Sequence, residues 1–455
     1  MSKGTLDLTT GGIFDRLLKV ALPVMGIQLL NMAYNLTDMF WLGRLSSDAV
    51  AASGTAGMYM WMSMAFLMFG RMGAEIGVSQ NLGRGDAKAA ARYSGIAMSI
   101  NAVLGVAFAA VMMIFAMPLI GFFGIQETHV AADAVTYLRW VAPCIFFQFL
   151  GGVMGGTFSA AGNTRIPLYV NIIGLGLNVI LDPVCIFTLK MGVAGAALAT
   201  TISIAITCIV GIWVLARSRF KLFEGYRLFV KPRAAELREI TGWALPVAIE
   251  SFCFTFLSML VSRVVTGFGS EAIAVQKLGS QVESMSWLIA GGFASALTAF
   301  VGQNYGAGKW SRIRQSVGMA YKMMAAWGAI VTVLLFFCGG FFFSLFVSEP
   351  AVIAGGAMML RYTTLGTAAT CIENVAMGAF RGVGNTRPSM VVSITTNVLR
   401  VPLAWWLSTT SLGVNGVWLG LAIGALCRGA WLMTWQVTAS RRDPKVDNVP
   451  SDVLA

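Results

Sequence analysis

The segment VSQNLGRGD at residues 78–86 returns as VGQNYGAGK at residues 301–309, and this recurrence decides the fold. The two copies lie 223 residues apart, and ALPV at 21–24 recurs at 244–247 with the same spacing. The remaining matches, at nearly the same offset, are SSDAVA at 46–51 with GSEAIA at 269–274, GNTR at 162–165 with 384–387, and GV-x-G at 192 with 413. One register kept through so many matches indicates an internal duplication.

The composition places the duplicated unit in a membrane. Of the 455 residues 57% are apolar and only 11% are charged, whereas a soluble domain has about 25% charged residues. A membrane-spanning helix needs about 20 mostly apolar residues. The sequence therefore predicts an all-α polytopic membrane protein with twelve transmembrane helices. The apolar runs are 14–42, 50–74, 94–120, 134–160, 166–189, 192–216, 241–265, 272–300, 316–346, 352–380, 388–409 and 412–438.

Each repeat carries six helices, and this even number sets the topology. Both copies enter the membrane in the same direction, which predicts two parallel six-helix bundles around a central cavity, as in alternating-access transporters. The predicted parts are an N-terminal bundle (1–220), a cytoplasmic linker (221–240), a C-terminal bundle (241–440) and a cytoplasmic tail (441–455).

The basic residues lie mainly in loops. There are 32 Lys and Arg against 20 Asp and Glu, a net charge of +12, and their clustering on one side predicts that both termini are cytoplasmic, in a multi-pass protein of the cell inner membrane. No basic domain with interleaved aromatic residues points to nucleic acid. The seven cysteines lack CxxC spacing and His129 is the single histidine, so we expect no resident metal or other cofactor.

Helix 1 has one polar face. Gln28, Asn31, Asn35 and Asp38 are spaced by three or four residues, and Tyr34 adjoins them. Because a lipid-facing Asp costs at least about 2.5–3.5 kcal/mol at the bilayer centre, this face should line the bundle interior or a wet cavity. A functional acid and a polar contact between helices are the two interpretations of Asp38.

Helix 5 supplies a second acid. Asn178 and Asp182 are four residues apart and share a face just before Pro183, and Thr200 follows in helix 6. Carboxylate, amide and hydroxyl oxygens suit a small hard cation, and buried carboxylates also bind protons. In the second repeat, valines replace Asp38 and Asp182, whereas Asn178 is matched by Asn397. The two acids therefore break the repeat, which predicts that ion coupling belongs to the N-terminal bundle.

These motifs resemble the multidrug and toxic compound extrusion (MATE) family. The resemblance rests on the twelve-helix duplication, the two loops that decide the fold, the paired GNTR and NVILDP in helix 5, and it covers nearly the whole chain. It implies export of organic, often cationic, compounds in exchange for protons or sodium ions. It also implies a cation site at Asp38, Asn178, Asp182 and Thr200, as in archaeal-type members, with Tyr34 and Pro23 involved in movement of helix 1.

The second half has its own buried acids. Glu250 follows Pro246 in helix 7 and Glu283 lies on a polar face of helix 8. Together with the polar face of helix 1 they are expected to line the substrate cavity and attract cations. The alternative is a structural pairing of these acids with Arg263 or Arg400.

The sequence thus predicts a monomeric antiporter for small organic cations among membrane lipids, not an enzyme, coupled to H⁺ or Na⁺. Two near acids suit protons, whereas Asn178 and Thr200 favour sodium. Two alternatives remain: a lipid-linked oligosaccharide flippase of similar architecture, and an intramembrane enzyme. The enzyme would need a nucleophile or metal cluster such as HExxH, which the sequence does not provide.

Overall fold

The computed structural model describes residues 6–123, 125, 127–216, 226–347 and 349–442, and every regular element in that part of the chain is helical. Parts of the predicted linker and nearly all of the predicted tail lie outside the described residues. The helices are α1 (Ile13–Leu45), α2 (Ser47–Gly83), α3 (Ala87–Ile114), α4 (Ala116–Gly121), α5 (Thr128–Ala160), α6 (Arg165–Pro183), α7 (Val193–Ala216), α8 (Ala234–Thr266), α9 (Ser270–Gly306), α10 (Trp310–Ser344), α11 (Pro350–Thr363), α12 (Thr367–Gly382), α13 (Arg387–Ser408) and α14 (Val414–Arg442).

The twelve predicted spans are confirmed. By length and composition, nine of the described helices could cross a membrane. Helices α1 and α2, with 33 and 37 residues, are also long enough to cross a membrane. The tenth predicted span is divided into α11 and α12, of 14 and 16 residues, by a 3₁₀ turn at Thr364–Gly366. The third predicted span is likewise interrupted, at Phe115, between α3 and α4.

The chain forms two compact units. The first comprises Met1–Leu8 and Leu22–Ala248, and the second comprises Thr9–Ala21 and Ile249–Ala455. In the first unit α2 packs chiefly on α5, α3 also packs on α5, and α6 packs on α7. In the second unit α9 packs on α12, α10 on α12 and α13 on α14. The packing scheme is thus repeated along with the sequence.

The segment that decides the fold forms the same turn in both units. Gly85 follows α2 with φ of +81°, and Gly308 follows α9 with φ of +68°. Glycine adopts this left-handed conformation at little steric cost. In the first unit the carboxylate of Asp86 then accepts a hydrogen bond from the Ala89 amide at 2.8 Å and caps α3. Within the first unit, the part of α1 from Leu22 onward, together with α6 and α7, contributes side chains to one site.

Candidate functional site

The acid of helix α6 lies at a break in the helix. Asp182 and Asn178 are fully buried, and Asn178 Nδ2 donates a hydrogen bond to Asp182 Oδ1 at 3.1 Å. Pro183, the last residue of α6, has no amide hydrogen. A π-helical turn, Val184–Thr188, follows directly, and such turns are frequent at functional sites. The local sequence thus places a buried carboxylate beside irregular backbone.

Helix α1 brings the second acid to the same place. Asp38 Oδ2 accepts a hydrogen bond from Thr200 Oγ1 of α7 at 3.3 Å, and the Asp38 carboxylate is also close enough to Asp182 and Asn178 to interact with both. Tyr34 donates weakly to the Thr200 backbone carbonyl at 3.4 Å. The structure therefore brings together Asp38, Asn178, Asp182 and Thr200, which we call the acid site.

The acid site has unused acceptors. Asp38 Oδ1, Asn178 Oδ1 and Asp182 Oδ2 are buried and have no hydrogen-bond partner. A buried acceptor without a partner costs about 1–3 kcal/mol, and more when it is charged. Three such oxygens among touching side chains create a strong local demand for positive charge. A proton or a small monovalent cation satisfies that demand directly.

Sequence reasoning missed three neighbours of the acid site. Tyr137 and Cys144 of α5 are fully or nearly fully buried and close enough to Asp38 to interact with its charge. Ser203 of α7 faces Tyr34. Thr200, Ser203 and Thr207 share a face of α7 at helical spacing, so the spacing carried a signal for Ser203. Tyr137 and Cys144 lie in an otherwise apolar run, in which no spacing pattern indicated that they face the acid site.

The rest of the polar face of α1 is more open. Asn31 and Asn35 are exposed and Gln28 is half-buried, and Asn31 Nδ2 lies 3.4 Å from Gln28 Oε1. Pro23 lies inside α1, which continues through it from Ile13 to Leu45. Only the end of the predicted face near Asp38 enters the acid site.

The second unit contains a buried cluster of opposite charges. Arg428 Nε donates to Glu373 Oε2 at 2.6 Å, and one Arg428 Nη atom donates to Asn397 Oδ1 at 3.1 Å. Glu250 lies against Ser393, with Arg381 and Arg428 as its basic neighbours. The bases near Glu250 are therefore different from Arg263 and Arg400, the partners considered from the sequence.

Glu283 stands apart from that cluster. It is half-buried on α9 and close enough to Thr363, at the end of α11, to interact with it. Sequence reasoning identified Glu250 and Glu283 but missed the ion pair of Glu373 with Arg428. These two side chains are 55 residues apart on separate helices, and no local spacing links them.

Comparison with known proteins identifies the family. The family model described as MatE matches residues 23–184 and 246–406, one match in each repeat. The "Probable multidrug resistance protein NorM" of Thermotoga maritima is 28% identical over 427 residues, which cover 91% of this chain and 90% of that protein. An "FAD transporter" of Shewanella oneidensis is 26% identical over 91% of this chain and 92% of its own length.

Solved structures share the fold. The crystal structure of "MATE in the bent conformation" superposes with a TM-score of 0.91 at 21% sequence identity, covering 99% of this chain and all of that one. The family model covers most of the chain and follows its duplication. The chain therefore belongs to the MatE family of multi-pass membrane transporters.

Proposed function

We propose that the chain is a multidrug efflux antiporter of the bacterial inner membrane, which exports small organic cations in exchange for protons. Both termini are cytoplasmic and the monomer is the working unit. The names of the NorM relatives support multidrug efflux, and no comparison favours the flippase or intramembrane-enzyme alternatives. No resident cofactor takes part, and the ion gradient supplies the energy.

The acid site is the observation that carries this proposal. The carboxylates of Asp38 and Asp182 are close enough to interact, and they repel one another when both are ionised. A shared proton removes that repulsion and gives a partner to at least one of the orphan oxygens. Sodium is the competing ion, since Thr200 and Asn178 add two further oxygens.

Proton entry has a mechanical consequence in this scheme. When the pair is deprotonated, its charge holds α1 to α7 through the hydrogen bond from Thr200 to Asp38. Neutralisation weakens this charge-assisted contact, and α1 then repacks around Pro23, where one helical hydrogen bond is already missing. Substrate is released when the ion enters, so the two events compete.

The acids of the second unit attract the cargo in this proposal. Glu250 is buried and Glu283 is half-buried, and each provides a carboxylate for an organic cation at membrane depth. The 26 methionines and 29 phenylalanines provide soft contacts for ligands of varied shape. Cationic dyes such as ethidium are suitable test substrates.

The test is transport by the full chain in proteoliposomes. Ethidium movement is measured under an imposed pH gradient without sodium, and separately under a sodium gradient at equal pH on both sides. We expect the pH gradient alone to drive transport. Transport driven only by the sodium gradient would show that sodium, and not the proton, is the coupling ion. Absence of transport under both gradients would reject antiport.

A further inference from the structure

The second unit carries an open groove between the ends of α8 and α13. It encloses about 690 Å³, within the range of about 300–1,000 Å³ that is usual for small-molecule sites. Its lining residues are Leu260, Arg263, Val264, Gly267, Phe268, Val401, Pro402, Trp405, Ser408 and Thr409. None of these described residues is acidic, so the groove lacks the charge that would attract an organic cation.

Arg263 gives the groove its charge. It lies in the last turn of α8 and is exposed. In the described part of the chain its side chain forms neither an ion pair nor a hydrogen bond. It is not among the basic neighbours of Glu250 either. The five N–H donors of this guanidinium are therefore available to a ligand.

The groove lies at the level where membrane spans meet water. Helix α8 ends at Thr266 and α13 ends at Ser408, so Arg263 and Trp405 both lie in last turns. Trp405 has 60% of its surface exposed. Tryptophans and long basic side chains are typical of this level, where their apolar parts contact acyl chains and their polar ends reach the headgroups. A ligand in the groove would therefore lie where lipid phosphates and acyl chains meet.

Hydroxyl groups cap backbone carbonyls at the ends of both helices. On α8, Thr266 Oγ1 donates to the Arg263 carbonyl at 2.6 Å. On α13, Ser408 Oγ donates to the Trp405 carbonyl at 2.6 Å. These bonds offset part of the negative charge that helix C-termini carry. The guanidinium of Arg263 therefore sets the net charge of the groove.

The rest of the wall is apolar and well packed. Val264 and Val401 line the groove and also pack in one hydrophobic cluster with the buried Val261 and Ala404. The wall is therefore held in place by the core of the second unit. A fixed apolar wall beside one unpaired guanidinium suits a ligand with an acyl chain and an anionic group.

We propose that the groove binds an anionic phospholipid, whose phosphate pairs with Arg263 while an acyl chain lies along the apolar wall of α8 and α13. A guanidinium forms charge-assisted and often bidentate hydrogen bonds with a phosphate, and basic pockets between membrane helices recognise anionic headgroups. The same charge disfavours the cationic cargo of the proposed function. The lipid site goes beyond that function, because it requires neither antiport nor a particular coupling ion.

The test measures which lipid the protein retains. The full chain in detergent is equilibrated with equal amounts of phosphatidylglycerol and phosphatidylcholine that carry the same acyl chains, and bound lipid is counted by native mass spectrometry. Wild type should retain phosphatidylglycerol in preference, since choline offsets the phosphate charge. Arg263→Gln should lower phosphatidylglycerol retention about fivefold and phosphatidylcholine retention less than about twofold. Arg263→Lys, which keeps the charge, should preserve the preference.

A matched control lies at the end of α1, the repeat counterpart of α8. Arg44 is also exposed and in the last turn of its helix. Its guanidinium lies over the rings of Phe40 and Trp41 of the same helix, 5.0 and 5.9 Å from their centres. Arg44→Gln removes the same charge without altering the groove, and it should change phosphatidylglycerol retention less than about twofold.

Three results would overturn the proposal. Equal losses of phosphatidylglycerol in Arg44→Gln and Arg263→Gln would assign its retention to surface charge in general. Unchanged retention in Arg263→Gln would place the lipid elsewhere on the protein. Displacement of the retained lipid by inorganic phosphate would make the groove a site for free phosphate, in which the acyl chain has no part.

Discussion

The acid site of the first unit and the equivalent place in the second unit occupy the same positions of the repeat but hold opposite chemistry. Asp38, Asp182 and Thr200 correspond to Val261, Val401 and Leu421. Those three aliphatic residues pack in one hydrophobic cluster of the second unit, in which Val261 is buried. The fold by itself therefore requires no polar group at this place, and the acids of the first unit need a functional explanation.

The shared asparagine sharpens the comparison. Asn178 donates to the carboxylate of Asp182, whereas its repeat partner Asn397 accepts from the guanidinium of Arg428. An amide can do either, because it carries both donors and an acceptor. In the first unit the amide contacts a pair of acids whose buried oxygens lack partners. In the second unit it contacts an ion pair whose two charges neutralise each other. In the first unit the negative charge of the acids has no positive partner among the described residues. In the second unit most of the negative charge of Glu373 is neutralised by its ion pair.

The largest effect is expected from removing either acid. Asp38→Asn and Asp182→Asn should each abolish gradient-driven ethidium export, because Asn keeps the shape but neither ionises nor exchanges a proton. The variants should fold, since buried charge is removed. Export is measured in proteoliposomes beside Glu271→Gln, an exposed acid that should transport normally. Normal export by either acid-site variant would remove the coupling ion from the first unit.

The largest losses of stability are expected from removing one partner of the ion pair in the second unit. Arg428→Met leaves Glu373 charged and buried, and Glu373→Gln leaves Arg428 unpaired, so each should cost about 3–5 kcal/mol. The double variant should recover at least half of that loss. The more exposed pair of Arg92 with Glu236, also at 2.6 Å, is the control; Glu236→Gln should cost under about 1 kcal/mol. Unfolding in nanodiscs measures all four, and additive losses would contradict the pairing.

Exchanging polar and aliphatic side chains at equivalent positions should have different effects on stability in the two units. Val261→Asn buries an amide in the hydrophobic cluster and should cost about 1–3 kcal/mol. Asp38→Val, the reverse exchange in the first unit, should leave stability unchanged or higher while export is lost. Thermal unfolding and export are measured on the same preparations. Destabilisation by Asp38→Val would mean that the acid is structural.

The smallest effect is expected at Tyr34. Its hydrogen bond to the Thr200 carbonyl is long, at 3.4 Å, and its loss in Tyr34→Phe should cost about 0.5 kcal/mol at most. Export should fall less than about threefold. Complete loss of export, determined from initial rates, would place the Tyr34 hydroxyl on the ion path.

Much of the fold could be predicted from the sequence because its signals are local or repeated. Twelve apolar runs gave the spans, and a constant offset gave the duplication. The interruptions at Phe115 and at Thr364–Gly366 were not predicted, since hydropathy averages over about 20 residues and does not register a single broken turn.

Part of the acid site could be predicted from the residues, because helical spacing places Asn178 beside Asp182 and the repeat marks both acids as exceptions. That Asp38 and Thr200 join them in one site was an implication of the resemblance to the MATE family. The partners of the other buried charged residues could not be predicted. Arg428 with Glu373 and Arg400 with Ser258 are pairs between separate helices, and only the packing of α8, α12, α13 and α14 decides which residues meet.

The most direct test of the central claim, that the acid site carries the coupling ion, is proton release on substrate binding. Ethidium is added to purified protein in weakly buffered solution and the pH change is recorded. Wild type should release about one proton per dye bound, and the Asp38→Asn/Asp182→Asn double variant should release none while Glu250→Gln still releases protons. Release retained in the double variant and lost in Glu250→Gln would contradict the account and move coupling to the second unit.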